Sequence, residues 1–294
     1  MDKIRVLLFG MTGFGNSALR VLISYPRIVL FGVVIAQKQD TPFPYYECEK
    51  LQDSVTKIGV TLYEGLNFRE KKTIELIVSL CPDLIVVSSF NQIIPLAIIS
   101  IPRLGVINIH PSLLPKYRGA TPTVWALLNG EKETGVTVHF IEDERIDCGR
   151  IIAQAKLNIE TPDTDGILRL KLAQLSESVL TNALNLIFTK DKKTFPLQNE
   201  SEATYFPKRT LRNAEIDLDK PFNDIFNLIR AMSPYPGAYL IYNGVKYIVK
   251  SAVLTNEKTS NNLFCVHNDE VLIDTLEGVV KFQVTENIKL LGND

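Results

Sequence analysis

The sequence predicts an α/β protein: a doubly wound, mostly parallel sheet followed by a small C-terminal β-rich, OB-like domain. Three observations point there. Short runs of β-branched and apolar residues alternate with helical spacings through the first two thirds of the chain, as a parallel sheet covered on both faces requires. A glycine turn, Gly10-x-x-Gly13-x-Gly15, joins the first of these runs to the first helix. Past Pro234 the helical spacing gives way to strand runs around Asn243-Gly244, a hairpin signature.

Taken in order, residues 4–9 read as the first strand, and 17–23 have helical spacing after the glycine turn. A second strand covers 28–35. Helical stretches near 68–79 and 95–101 separate short buried strands at 84–87 and 106–109, and 136–141 and 151–155 supply more. After Pro162, Thr164 or Asp165 caps a helix in which Leu168, Leu172, Leu175, Val179, Ala183 and Leu186 recur at steps of three and four. Residues 190–203 are polar and broken by Pro196, the pattern of a linker. A helix carrying Phe222, Ile225, Phe226, Ile229 and Met232 ends at Ser233-Pro234, and strands are predicted at 263–266, 270–274 and 279–284. The expected division is a catalytic domain over 1–189, a linker and domain tie over 190–212, and a small domain over 213–294.

Composition narrows the function classes. The 32 basic and 33 acidic residues nearly cancel, which speaks against a large nucleic-acid footprint. No run approaches the ~18 apolar residues of a membrane span, and the first apolar run is too short for a signal peptide. Cys48, Cys81, Cys148 and Cys265 are scattered without a C-x-x-C pair, as free thiols in a reducing compartment would be, so a cytoplasmic enzyme is expected. The glycine turn departs from the dinucleotide fingerprint and the second strand runs into AQKQD, without the acidic residue expected there. Close packing, rather than NAD(P) binding, is the reading. With His110, His139 and His267 the only histidines, and no ligand spacing of a known type, no metal is expected.

The chemistry concentrates in residues 105–150. Asn108 and His110, two apart on a strand, share a face and emerge at its carboxyl end, where open α/β sheets bind ligands. A loop stiffened by Pro111, Pro115 and Gly119 follows, and Asp147 arrives from a polar loop just before Gly149. An amide, an imidazole and a carboxylate suit attack of an amine on a carbonyl. Ser112 raises a serine-hydrolase alternative, but no G-x-S-x-G elbow surrounds it and Pro111 turns its hydroxyl toward backbone. Cys148 as a nucleophile lacks an activating motif.

These residues resemble the folate-dependent formyltransferase family. The likeness is carried by Asn108, His110, the SLLP of 112–115, Arg118-Gly119, the NGEKETGVTVH of 129–139 and Asp147 before Gly149. Residues 83–95 are similar to the family's folate-pocket strand and loop, 203–210 to the tie between its domains, and 230–239 to the start of its C-terminal domain. The resemblance implies a Rossmann-like catalytic domain that moves a formyl group from N10-formyltetrahydrofolate, a cosubstrate used without metal, to an amine. It implies Asn108 and His110 as donors to the developing oxyanion. Asp147 would orient His110, take the amine proton directly, or act through a water. The pterin is implied between Phe90, Asn91, Gln92, Ile93 and Ile94 on one loop and Ile141, Glu142, Asp143 and Ile146 on another. Ser112, Lys116, Arg118, Gly119, Tyr205, Lys208 and Arg209 are implied on the acceptor side.

Two acceptors compete. A nucleotide-linked amino sugar is expected, with initiator methionyl-tRNA as the alternative. The tRNA branch of the family carries a basic insertion after the second strand and a basic C-terminal domain. Here the corresponding stretch, 37–50, reads QKQDTPFPYYECEK, aromatic and acidic without arginine, and Leu218 stands where the family often has Trp. Losing cations there removes phosphate-derived affinity, while Tyr45 and Tyr46 offer stacking surfaces for a base or sugar. A small-molecule partner is therefore expected over nucleic acid or membrane. An exposed aromatic surface on the small domain is a candidate for pairing two subunits.

Overall fold

The computed structural model describes residues 3–35, 49–255, 264–267 and 269–289. Most of the 37–50 stretch, with Tyr45 and Tyr46, lies outside them. In chain order the elements are β1 (Ile4–Gly10), α1 (Phe14–Ser24), β2 (Ile28–Ile35), α2 (Leu51–Lys57), β3 (Thr61–Glu64), α3 (Lys71–Leu80), β4 (Leu84–Ser88), α4 (Leu96–Ile99), β5 (Val106–His110) and the two-residue β6 (Arg118–Gly119). There follow α5 (Pro122–Leu128), β7 (Glu133–Ile141), β8 (Ile151–Asn158), α6 (Asp165–Ile187), β9 (Tyr205–Phe206) and α7 (Phe222–Met232). The last strands are β10 (Ala238–Tyr242), β11 (Val245–Thr255), β12 (Phe264–His267), β13 (Glu270–Thr275) and β14 (Gly278–Lys289). They divide into two compact units. One comprises Met1–Pro122, Glu133–Asn158 and Arg169–Phe206; the other Thr123–Lys132, Ile159–Leu168 and Pro207–Asp294.

The first unit is built on a seven-stranded sheet in the order β3-β2-β1-β4-β5-β7-β8. The five strands from β3 to β5 run parallel, and β7 and β8 are antiparallel additions. This is the doubly wound, mostly parallel sheet predicted from sequence. Its central strands are apolar almost throughout, because helices cover both faces: Leu7, Leu8, Leu84, Ile85, Val106 and Ile107 are fully buried. On one face Leu7, Phe9, Val34, Phe68, Val87 and Ile94 form a continuous cluster, with the rings of Phe9, Phe68 and Phe90 5.0–5.4 Å apart. At the glycine turn Asn16 Oδ1 accepts the Gly13 N–H, and a Cβ on Gly15 would stand 2.8 Å from Leu51 Cδ2. Close packing of α1 thus accounts for the motif.

Two features of this unit were not legible beforehand. The edge strand β3 and the short α2 carry too few apolar residues to show a period. Residues 196–206, polar and linker-like in sequence, run as a strap along the 115–120 loop. Ile151 N donates to Pro196 O, Thr204 N to Pro115 O, Arg118 N to Thr204 O and Ala120 N to Phe206 O.

The second unit holds a five-stranded antiparallel sheet in the order β10-β11-β14-β13-β12, with α7 packed on it through Ile225 and Ile229. Asn243 and Gly244 adopt φ of 48° and 73°, the left-handed pair that a two-residue hairpin needs. Thr164, rather than Asp165, caps α6: its Oγ1 accepts from Ile167 N at 3.3 Å. Trp125 donates its indole N–H to Pro207 O at 2.8 Å. Among the described residues no helix is long and apolar enough to cross a membrane.

Candidate active site

Asn108 and His110 end β5, the last parallel strand, at its carboxyl end. Across the β5–β7 ladder Asn108 faces His139 and His110 faces Thr137. Directly opposed residues of antiparallel strands share a face, so Asn108, His110 and His139 all project to one side. Thr137 pins the loop after His110: its hydroxyl donates to Ser112 O at 2.6 Å and accepts from Leu114 N at 3.2 Å.

Asp147 reaches the same point from the loop after β7. Its Oδ1 accepts from Asn108 Nδ2 at 3.1 Å and lies 3.4 Å from His139 Nε2. Its Oδ2 accepts from Gly119 N at 2.9 Å and lies 3.5 Å from His110 Nδ1. The sequence-predicted amide, imidazole and carboxylate therefore meet. Asp147 has φ of 55°, a left-handed conformation that a non-glycine residue holds only when its surroundings enforce it. Gly149 enforces part of it, since a Cβ there would stand 1.8 Å from Phe140 O.

Hydrogen bonding selects the histidine tautomers. His110 Nε2 is 2.8 Å from Tyr117 O, so it carries a proton, and Nδ1 is the basic nitrogen, turned toward Asp147. His139 Nδ1 likewise donates to Phe140 O at 2.8 Å, which leaves Nε2 to accept from Asn108 Nδ2 at 3.2 Å. Burial pushes the pKa of His110 below its ordinary value, against the opposing pull of Asp147. Burial would raise Asp147, but the neighbouring His110 and His139 and the Gly119 N–H outweigh it and hold the carboxyl well below the usual carboxylate range. The site is a buried carboxylate flanked by two imidazole rings. His139 was not singled out from sequence, because its place depends on which residue of β7 lies opposite Asn108.

The two loops expected around a pterin are neighbours. Phe90, Ile94 and Ile141 pack on one apolar cluster, and Leu96 N donates to Glu144 Oε1 at 3.2 Å. Ile93 and Ile146 are exposed, as is Asn91. Gln92 is committed to backbone, with Oε1 accepting from Phe68 N and Nε2 donating to Leu66 O. Glu142 accepts from Arg150 N, and Asp143 pairs with Arg145.

On the expected acceptor side, Ser112 is buried with its hydroxyl donating to Lys116 O, while the Lys116 and Tyr205 side chains are exposed. Arg118 is buried, with its guanidinium on Gln198 and Glu200. Lys208 and Arg209 belong to the second unit, where Lys208 is exposed and Arg209 lies 3.8 Å from the buried Asp165. Among the described residues no group of three or more His, Cys, Asp or Glu side chains is placed to share a metal ion.

Residues 18–184 match the family described as Formyl transferase, and 209–289 its C-terminal domain. Methionyl-tRNA formyltransferase of Clostridioides difficile (strain 630) is 37% identical over 225 residues, covering 76% of this chain and 72% of that protein. Among solved structures, WlaRD, a sugar 3N-formyl transferase crystallised in the presence of dTDP and 5-N-formyl-THF, has a TM-score of 0.70 at 23% identity, covering 98% of this chain and 100% of that one. The N-formyltransferase from Helicobacter canadensis, in complex with folinic acid and dTDP-3-aminofucose, gives 0.67 at 22% identity, covering 97% and 100%. At those identities the likeness to the two structures is one of fold. The match across both domains and the identity to the Clostridioides enzyme decide what geometry alone leaves open: the chain belongs to the formyl transferase family and is a formyltransferase.

Proposed function

We propose that this enzyme transfers the formyl group of N10-formyltetrahydrofolate to the primary amine of a nucleotide-linked amino sugar. The observation that carries the acceptor is charge. Residues 213–294 hold seven lysines and arginines against eleven aspartates and glutamates, and 37–50 hold no arginine. A protein that grips tRNA draws most of its affinity from neutralising phosphates, which an acidic region disfavours. The folate donor is supported by the ligands of the two structural neighbours and by the apolar floor that Phe90, Ile94 and Ile141 provide.

The chemistry follows from the side chains. Attack of the amine turns the planar formyl carbon tetrahedral and puts negative charge on its oxygen. Asn108 Nδ2 stabilises that oxygen by turning one N–H from Asp147 or His139 toward it, a donor worth about 3–4 kcal/mol in such sites. His110 acts through Nδ1, neutral and basic in the resting site, which takes the proton the amine must lose. The resulting imidazolium is held by the Asp147 carboxylate 3.5 Å away and can return the proton to the folate nitrogen as the C–N bond breaks. Arg118, which the resemblance put on the acceptor side, suits a supporting role better, because its donors are spent within the protein.

The second reading is methionyl-tRNA, and one observation favours it: the 37% identity to a methionyl-tRNA formyltransferase. The deciding experiment supplies N10-formyltetrahydrofolate with dTDP-3-aminofucose or with charged initiator tRNA. Formylation of the sugar nucleotide is expected, and formylation of the tRNA alone overturns the acceptor assignment.

A further inference from the structure

The strap over residues 196–206 reaches the backbone of the Asp147 loop. Gln198, 8% exposed, donates through Nε2 to Asp147 O and to Gly149 O, both at 2.8 Å. Its Oε1 accepts from Arg118 Nε at 3.1 Å and Nη2 at 2.9 Å. Arg118 in turn places Nη1 and Nη2 on the Glu200 carboxylate at 2.8 and 2.9 Å. A guanidinium has donors and no acceptor, so the Gln198 atom facing it must be the oxygen. That fixes which way the amide points, and the NH2 group is left for the two carbonyls. The chain of orientation runs from Glu200 through Arg118 and Gln198 to the backbone of Asp147.

We propose that Gln198 is a positioning residue for Asp147, and that Arg118 and Glu200 set the orientation of its amide. The two carbonyls it holds flank Cys148 and tie down the backbone of the loop that carries the carboxylate. Asp147 is in the left-handed region and its own side chain makes no bond that would enforce this backbone. A pair of hydrogen bonds across 147–149 supplies the restraint, and the close approach of Gly149 to Phe140 O supplies the other end. Without it the peptide is free to rotate out of φ 55°, carrying the carboxylate off the Gly119 N–H and away from His110. The residue comes from a polar stretch that shows no periodicity, so nothing in its immediate neighbours marks it.

This inference rests on the proposed role of Asp147, and its test separates the two. Gln198→Glu keeps an acceptor for Arg118 but replaces the NH2 donor with an acceptor oxygen facing the two carbonyls, whereas Gln198→Ala removes both halves. In crystal structures of the wild type and Gln198→Glu, the Asp147 carboxylate is expected to leave the Gly119 N–H in the variant. Formyl transfer is then measured from N10-formyltetrahydrofolate to dTDP-3-aminofucose or initiator methionyl-tRNA, whichever the wild type accepts. Both Gln198 variants should lose about tenfold or more in kcat, with both KM values within about twofold of wild type. Combined with Asp147→Asn, Gln198→Ala should cost nothing further. A carboxylate that stays on Gly119 in Gln198→Glu, or wild-type kcat in that variant, overturns the proposal. So does a Gln198→Glu protein that is unfolded at the assay temperature, which would make Gln198 a strut of the fold. A displaced carboxylate with full activity instead overturns the role given to Asp147.

Discussion

At Asp147 shape and charge can be separated, since asparagine tolerates the left-handed backbone that the position requires. Asp147→Asn, Asn108→Ala and His110→Ala are each expected to lower turnover more than tenfold with the fold intact, measured as steady-state kcat alongside circular dichroism. Protonation tests the same groups through stability. The pKa of Asp147 is depressed in the fold, so its contribution is complete above about pH 4 and lost as pH falls through the native value. His110 is also lowered, so below about pH 6.5 the unfolded chain takes up a proton that the native ring resists, and stability falls. Both act in the same direction on acidification. Tm should drop between pH 7.5 and pH 5, and His110→Gln should shrink that drop; an unchanged slope in calorimetry removes His110 as its source. Asn108, His110 and Asp147 were readable from the chain because each sits in a stretch with its own signature. His139 and Gln198 were not, since each gains meaning from a partner thirty or fifty residues away.

Among the elements, the antiparallel pairing of β7 with β5 does most to assemble the site. It brings His139 opposite Asn108 and ends β7 beside Val106, from where the 142–150 loop brings Asp147 back onto Asn108 and His110. Gly149 permits the loop to leave β7 so closely. Gly149→Ala is expected to cost about 3 kcal/mol, read as a lowered urea midpoint at unchanged m-value, because the new methyl meets backbone. The central strands of the large sheet, the hairpin and the long helix α6 could be read from sequence because their apolar runs are complete. The strap of 196–206 could not, because its order comes from hydrogen bonds to the 115–120 loop rather than from its own pattern.

For the whole molecule the governing quantity is the distribution of charge. The chain is near neutral overall, and the C-terminal stretch is acidic. Binding of a sugar nucleotide, which presents a diphosphate, should weaken only mildly between 50 and 200 mM salt. A tRNA complex relying on six or more phosphate contacts would lose about three orders of magnitude over that range. Acceptor titrations at the two salt concentrations read the difference, and a steep loss favours tRNA.

The chain has one tryptophan, and Trp125 lies in the second unit with its indole N–H on Pro207 O. Its emission is thus a built-in spectroscopic probe confined to one half of the protein. Fluorescence follows the opening of that half while far-ultraviolet dichroism averages over both, so two unfolding curves that separate would reveal halves that melt independently, with no label attached.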